Sequence, residues 1–494
     1  MTKTAAAPPP NRWLALVVLC VGMLMIILDS TIVNVALPSI QDDLGFSQAN
    51  LAWVVNAYLI AFGGLLLLAG RLGDLTGSRR VFLIGLGVFT AASLVCGLAQ
   101  SQEVLIGARF VQGVGGAMTS AVILGMIVTM FPEPGEQAKA IGIYAFVASA
   151  GASIGLLAGG VLTQAINWHW IFFVNLPIGV GTALFALRLV EGGKGIGIER
   201  GKDVPGAILI TAALMLGVYT ILEAGAQGWG SAHTLGLGAV SLALVASFVR
   251  REATAPDPLV PLRIFRSRNV SGANVVQTFM VAGIFGMFFL GVLYMQRLLG
   301  YDAIETGLAF LPVAVIIGTL SLGVSARLNL RFGAKATLVP GLVLVALGLA
   351  LFTQAPLNAD YLTKVLPVMV LLGTGAGLVF PSVTTLAMSG ATPSDAVLAG
   401  GLLNTSLQVG GALGLAVLAS LSATRTDSLL AGGDTAREAL LGGYHFAFAV
   451  AAGLVVLAVV AALAVLRSER AVAPEQAAKD LHIHGVEPVA AEAA

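Results

Sequence analysis

Residues 13–37 read WLALVVLCVGMLMIILDSTIVNVAL. A helix needs about 20 mostly apolar residues to cross a hydrocarbon core about 30 Å thick, and this run supplies them. It holds one charged side chain, Asp29. The rest of the chain has the same character. Of 494 residues, 57% are hydrophobic, 10% are charged and 61 are glycine, with a mean hydropathy of +0.93. A water-soluble domain carries about 25% charged residues. So few charges cannot cover a surface that faces water throughout, and the sequence specifies an all-α integral membrane protein.

Working outward from the first run, further apolar segments fall at 51–70, 81–99, 104–130, 140–162 and 170–187, then at 204–222 and 234–249. The last six are 270–295, 306–326, 336–353, 365–388, 397–421 and 444–466, which makes fourteen predicted spans. Alternate loops collect the positive charge. With the N-terminus inside, 21 of the 26 Lys and Arg residues fall on the cytoplasmic side. Four fall outside (Arg297, Lys364, Arg425 and Arg437), and Arg109 lies within a span. The positive-inside rule therefore puts both termini in the cytoplasm. The first span is too long for a signal-peptide core and is read as retained. Residues 1–12 and 467–494 are Ala-, Pro- and Glu-rich and are expected to be disordered.

An internal repeat sets the domain organisation. GRLGDLTGSRRVFLIG at 70–85 aligns without a gap on ARLNLRFGAKATLVPG at 326–341. At the same offset Gly77 meets Gly333, Arg79 meets Lys335 and Gly155 meets Gly411. The expected units are a six-helix bundle at 13–190, two inserted helices at 204–250 and a second six-helix bundle at 270–466. Parallel repeats of this kind suit a transporter whose halves rock about a midplane site.

Charge inside the spans is the main chemical signal. Asp29 lies roughly 12 Å from the outer end of its span, and Arg109 about 8 Å below the outer face on the fourth span. A buried carboxylate is costly, so Asp29 is either a proton carrier or a structural carboxylate locked in a salt bridge. Arg109 either pairs with it or snorkels to anchor a helix end. Gln112 lies one turn from Arg109. Asn34, Asn56, Gln277, Asn404 and Gln408 also sit within spans, where they face either a water-filled substrate cavity or a neighbouring helix. Phe279, Phe285, Phe288, Phe289, Tyr294 and Trp53 are further candidates for an apolar cavity wall. Gly151, Gly155 and Gly159, followed by Gly160, form a small-residue stripe for close helix contact. The loop around Gly70, Arg71, Asp74, Gly77, Arg79 and Arg80 is a topology anchor or a conformational latch.

Other chemistry finds little support. ERGKD at 199–203 lacks the glycine and the Ser/Thr of a phosphate-binding loop, and GTGAG at 373–377 lies in an apolar span. The five histidines fall in loops, at span ends or in the tail, so neither a metal site nor a hydrolase is expected. Cys20 and Cys96 lie towards opposite faces, and no disulfide is expected. No basic cluster exceeds loop size, so no nucleic-acid partner is implied.

These motifs resemble the major facilitator superfamily, in its fourteen-span drug:proton antiporter branch. LDSTIVNVALP is similar to the branch's first-span motif, with Asp29 at its acidic position. GRLGDLTGSRR resembles the signature loop and RFVQGVGGA the fourth-span motif, with Arg109 and Gln112 matching. GASIGLLAGG resembles the antiporter motif of the fifth span, and WHWIFFVNLPIG and LLNTSLQVGGALG are further patches. The resemblance implies export of lipophilic small molecules driven by inward proton flow, with the proton motive force in place of a cofactor. It implies a multi-pass protein of the bacterial inner membrane, with lipid, protons and substrate as its partners; the sequence leaves the oligomeric state open, a monomer being compatible with it. In that reading Asp29 protonates, Arg109 tunes it, and the Asp74 loop stabilises the outward-open state. Two departures stand out: Leu156 replaces a usual proline, and His169 replaces a usual arginine. A dedicated exporter of one metabolite or antibiotic, and a proton symporter, are the alternatives.

Overall fold

The computed structural model describes residues 11–191, 203–256, 258–390 and 396–467, and the two tails expected to be disordered lie largely outside them. Among the described residues there are helices and no strands. In chain order they are α1 (Arg12–Leu44), α2 (Gln48–Thr76), α3 (Ser78–Gly97), α4 (Gln102–Met130), α5 (Pro134–Ala165), α6 (Trp170–Phe173), α7 (Asn175–Leu189) and α8 (Val204–Gln227). Then follow α9 (Ala232–Thr254), α10 (Arg268–Leu293), α11 (Ala303–Thr319), α12 (Ser325–Phe332), α13 (Ala334–Phe352), α14 (Leu366–Ser389), α15 (Ala396–Ala431) and α16 (Ala436–Val465). Ten described helices, some of them joined end to end, are long and apolar enough to cross a membrane. Shorter apolar stretches occur at Asn50–Leu66, Ile154–Ala165, Pro205–Ile221 and Ala303–Thr319.

Side-chain caps mark the starts of these helices. Ser47, Ser101, Ser231 and Ser267 each accept a backbone N–H three residues on, satisfying one of the donors a helix start leaves free. Asp302 and Thr435 form full capping boxes with Glu305 and Glu438. Pro177 cannot donate to the carbonyl of Phe173, and the helix path steps there between α6 and α7. A π-turn at Tyr294–Leu298 extends α10 and re-aims its C-terminal end.

The packing repeats. α1 packs on α5 and α7 as α10 packs on α15 and α16, and α3 packs on α4 as α13 packs on α14. The repeated loops have matching geometry. Gly77 (φ 103°) and Gly333 (φ 88°) turn the chain through a conformation that side chains disfavour. Two residues beyond each glycine, a basic side chain caps the C-terminal end of a distant helix. Arg79 donates to the carbonyl of Leu187 in α7, and Lys335 Nζ donates to that of Leu466 after α16 at 2.6 Å. A cation there also meets the negative end of the helix dipole. Between the two groups, α2 packs on α15, α5 on α11 and α1 on α10, while α8 touches both α2 and α15. Cys20 and Cys96 are buried free thiols.

Candidate functional site

Asp29 and Arg109 meet across eighty residues of sequence. Arg109 Nη1 donates to Asp29 Oδ2 at 2.6 Å, with the side chains 1% and 0% exposed. The other carboxylate oxygen, Oδ1, accepts from Gln112 Nε2 at 2.7 Å and Asn175 Nδ2 at 2.9 Å. Arg109 also donates from Nη1 to Gln112 Oε1 at 2.7 Å and from Nε to the Val54 carbonyl at 2.9 Å. Ser93 Oγ accepts from Gln112 at 3.2 Å and Asn175 at 3.0 Å, and donates to the Phe172 carbonyl at 2.9 Å. The guanidinium lies 4.4 Å from the Tyr58 ring centroid, a cation–π contact in a dry setting.

Helix geometry brings these groups together. Arg109 and Gln112 are three residues apart on α4 and share one face. α1 supplies Asp29, α2 supplies Tyr58 and the Val54 carbonyl, α3 supplies Ser93 and α7 supplies Asn175. Two opposite charges are thus removed from water, and the carboxylate receives three N–H donors in compensation. Breaking a buried pair by removing one partner costs about 3–5 kcal/mol, whereas an apolar replacement of both can be neutral. Arg109→Met and Asp29→Leu are each expected to lower thermal stability in detergent sharply. The double variant is expected to lose far less than the sum of the two. Additive losses would show that the two groups are not coupled.

The glycine stripe of α5 faces two directions. A methyl group at Gly159 would stand 2.6 Å from the Ile32 carbonyl oxygen of α1. One at Gly155 would collide with the Thr31 hydroxyl, and one at Gly151 would meet Leu24 Cδ1 at 3.0 Å. Gly160 instead faces α11, where a methyl would stand 2.6 Å from the Ala303 carbonyl oxygen. Leu156 is buried, and α5 runs unbroken through it.

Polar ties between the two helix groups gather at the same end of the molecule, the face that carries Gly45. Gln164 Nε2 donates to Asp302 Oδ2 at 2.9 Å, and its Oε1 accepts the Ile304 N–H at 3.2 Å. Gln296 Nε2 donates to the Val35 carbonyl at 3.0 Å. Arg297 pairs with Asp42 and donates to Gln41 Oε1 at 3.1 Å. The Glu305 backbone N–H, and then Gln164, hold the Asp302 carboxyl below the usual carboxylate range, so it keeps its charge in this clamp.

The sequence profile of the Major Facilitator Superfamily matches residues 19–415. The chain belongs to that superfamily. A puromycin resistance protein of Streptomyces alboniger is 38% identical over 474 residues, covering 95% of this chain and 94% of the relative. A cephamycin export protein of Amycolatopsis lactamdurans is 39% identical, covering 83% and 85%. The multidrug resistance protein Stp of Mycobacterium tuberculosis is 34% identical, covering 84% and 76%. The fold is also that of a bacterial homologue of the human lysosomal transporter Spinster, solved inward-facing and unoccupied. That structure has a TM-score of 0.67 at 16% identity, covering 92% of this chain and 97% of the other. The protein is a multi-pass membrane protein.

The other candidate residues of this superfamily member are spread through the fold. In the signature loop, the side chains of Arg71 and Asp74 lie outside the described residues. Gly70 is half-buried near Ala121, and Arg80 is exposed. Arg79 is tied to α7 of its own helix group. Gln112 lies in the Asp29 network. Asn34 Nδ2 donates to the Ser30 carbonyl of its own helix at 3.2 Å. Asn56 is fully buried, and neither of its amide atoms has a partner among the described residues. Gln277 Oε1 is likewise buried and unpartnered. Asn404 and Gln408 are half-buried on α15, and the Gln408 Cβ packs 2.7 Å from where a Gly63 methyl would stand. Of the aromatics, Phe288 meets Phe310 in a tilted contact at 5.2 Å and Trp53 lies 6.1 Å from Tyr219, while Phe289 and Tyr294 are buried.

Asn175 and Ser93 are not among the residues that the sequence marks. Uncharged polar residues are frequent in spans, and only the rotation of α3 and α7 about their axes decides that these two face Asp29. The one signal for Asn175 is its place in WHWIFFVNLPIG, an aromatic run that stops at an amide and a proline.

Proposed function

We propose that this chain is a proton-coupled efflux transporter that exports lipophilic small molecules, antibiotics among them, across the bacterial inner membrane by alternating access. The observation that carries this reading is the buried Asp29–Arg109 pair. Asp29 supplies the one carboxylate of the network, and a proton on it cancels the charge that holds α1 against α4 and α7. Arg109 then keeps Gln112 Oε1, the Val54 carbonyl and the Tyr58 ring, so it is not stranded. Proton uptake and helix release are in this way one event.

In this reading the helices make fourteen spans with both termini in the cytoplasm. Residues 13–190 and 270–466 form the two six-span bundles, and 204–250 are inserted between them. The matched capping by Arg79 and Lys335 supports that division. The Gly45 face is then the outer one, sealed by Gly151, Gly155, Gly159 and Gly160 together with the Arg297 and Gln164 ties. The loop of Gly70, Arg71, Asp74, Gly77, Arg79 and Arg80 is the latch of the opposite, cytoplasmic face. Asn34, Asn56, Gln277, Asn404 and Gln408 are substrate-facing candidates. The orphaned amide of Asn56 and the unpartnered Oε1 of Gln277 support this, because buried polar groups usually find a partner.

Everted membrane vesicles given an imposed proton gradient test the reading. Uptake of a lipophilic dye that collapses on adding an uncoupler is the expected result, and uptake indifferent to the uncoupler would overturn it. Two relatives, the puromycin resistance protein and the cephamycin export protein, are each tied by name to one compound and favour a second reading: a dedicated exporter conferring self-resistance. Transport of a single antibiotic with no dye uptake would select it.

A further inference from the structure

We propose that Asp203 and Glu252 form a second proton-binding site, in which one proton held between two buried carboxyls locks the inserted helices α8 and α9 to the linker leading into α10. The site is separate from the Asp29 network and does not rest on the export reading.

Asp203 caps α8. Its Oδ1 accepts the Gly206 N–H at 3.0 Å and Arg251 Nε at 2.7 Å. Glu252 lies in the last turn of α9, past the apolar stretch 234–249, and is 3% exposed. Its Oε2 accepts the Val260 N–H at 2.7 Å. That leaves Asp203 Oδ2 and Glu252 Oε1, both buried and without another partner. They crowd the same point, since a methyl at Gly206 would stand 2.5 Å from the first and 2.8 Å from the second. The two carboxyls are within hydrogen-bond reach of each other. Ionised carboxylates are acceptors only, so two such oxygens facing each other out of water repel. One proton between them replaces the repulsion with an O–H···O bond and belongs to the pair.

The surroundings favour this state. Burial, and then the facing Asp203 carboxyl, push Glu252 up to about 7. Against the burial that would raise it, Arg251, Glu252 and the Gly206 N–H hold Asp203 below its usual range. On the linker, Arg263 is engaged in an interaction of its own. Lys202 and Asp257 lie outside the described residues. The linker carries the lock onward, because Val260 packs with Ile264, Val270, Ala399 and Leu402 at the starts of α10 and α15. A proton at this pair therefore fixes the inserted helices to two helices of the second bundle, on the face assigned to the cytoplasm.

The direction of the pH dependence follows. Glu252 returns to its ordinary value of 4.5 when the lock opens and sits at about 7 when it is closed. The lock is complete below the lower value and is lost as pH rises to the upper one. Across that window its opening grows by about tenfold per pH unit, one proton being released.

Amide hydrogen exchange of the full-length protein in lipid nanodiscs, between pH 5 and 8 and corrected for intrinsic rates, reads this at Val260. Wild-type protection is expected to fall by about tenfold per pH unit up to roughly pH 7 and then level off. Glu252→Gln places an N–H where the proton sits, and its protection should be high and flat. Asp203→Asn provides the same test if the first variant does not accumulate. Asp29→Asn should keep the wild-type slope. A wild-type linker indifferent to pH, or a Glu252→Gln variant that keeps the slope, would overturn the lock. Uncoupler-sensitive dye uptake by everted vesicles bearing the same proteins would then leave the transport reading standing.

Discussion

Asp29→Asn is expected to abolish gradient-driven accumulation while leaving the protein in the membrane. Each pH unit of gradient is worth about 1.4 kcal/mol per proton, a tenfold concentration ratio for a substrate exchanged one for one. A variant that carries no proton falls from that ratio to unity, whatever its affinity for substrate. The substitution keeps the shape of the side chain but replaces one carboxylate oxygen with a donor, in a site where Arg109, Gln112 and Asn175 already present three. Arg109 retains its bonds to Val54 and Gln112, so folding has a route to tolerate the change. Everted vesicles bearing the variant should take up no dye above the uncoupled baseline, yet should still exchange labelled for unlabelled dye. Uncoupler-sensitive accumulation by the variant would place the coupling proton elsewhere.

The legible part of this site is its charge. A single acid or cation in an apolar run stands out in one dimension, so the sequence alone is enough to name Asp29 and Arg109. Their contact is not legible there, because it depends on how α1 and α4 are turned towards each other. Asn34, a polar neighbour of Asp29 on the same helix, spends its amide on the carbonyl of Ser30. Asn175, far away in sequence, does the bonding instead. The first span shows the same limit at its end. Hydropathy stops it at Leu37, but α1 runs on to Leu44, because Pro38 is tolerated within the helix and the polar turns beyond it still bond as helix. Asp42 and Gln41 therefore reach Arg297 from outside any apolar window, and the π-turn that aims Arg297 leaves no mark in composition. The clamp on the Gly45 face is a property of helix ends, which hydropathy discards.

Gly160→Val is expected to remove transport by a different route, leaving the Asp29 network whole. At Gly160 the opposing atoms are backbone: a methyl would stand 2.6 Å from the Ala303 carbonyl oxygen and 2.9 Å from the Ile304 Cα. Non-bonded carbon atoms rest about 3.5–4.0 Å apart, so α11 must retreat from α5. Overpacking of this kind costs typically about 1–3 kcal/mol, enough to shift a two-state equilibrium by about 5- to 150-fold. The state penalised is the one in which the Gly45 face is shut, since the Gln164 and Asp302 tie sits beside the same contact. A cysteine placed at Val35, which is buried in the closed arrangement, should become reactive to a membrane-impermeant maleimide in the Gly160→Val background and stay protected otherwise. The native Cys20 and Cys96 are buried and give the baseline. Gly151→Ala should be mild by comparison, because the new methyl would come closest, at 3.0 Å, to the end of the Leu24 side chain, which can turn aside, and none of its three nearest atoms is backbone. Gly87→Ala, with nothing within 4 Å, should be silent. Equal losses at all three glycines would point to general helix destabilisation. A graded series, with maleimide reactivity rising as uptake falls, would tie the stripe to closure of one face. The proposed proton carrier, Asp29, would then be left with the separate task of deciding when that face opens.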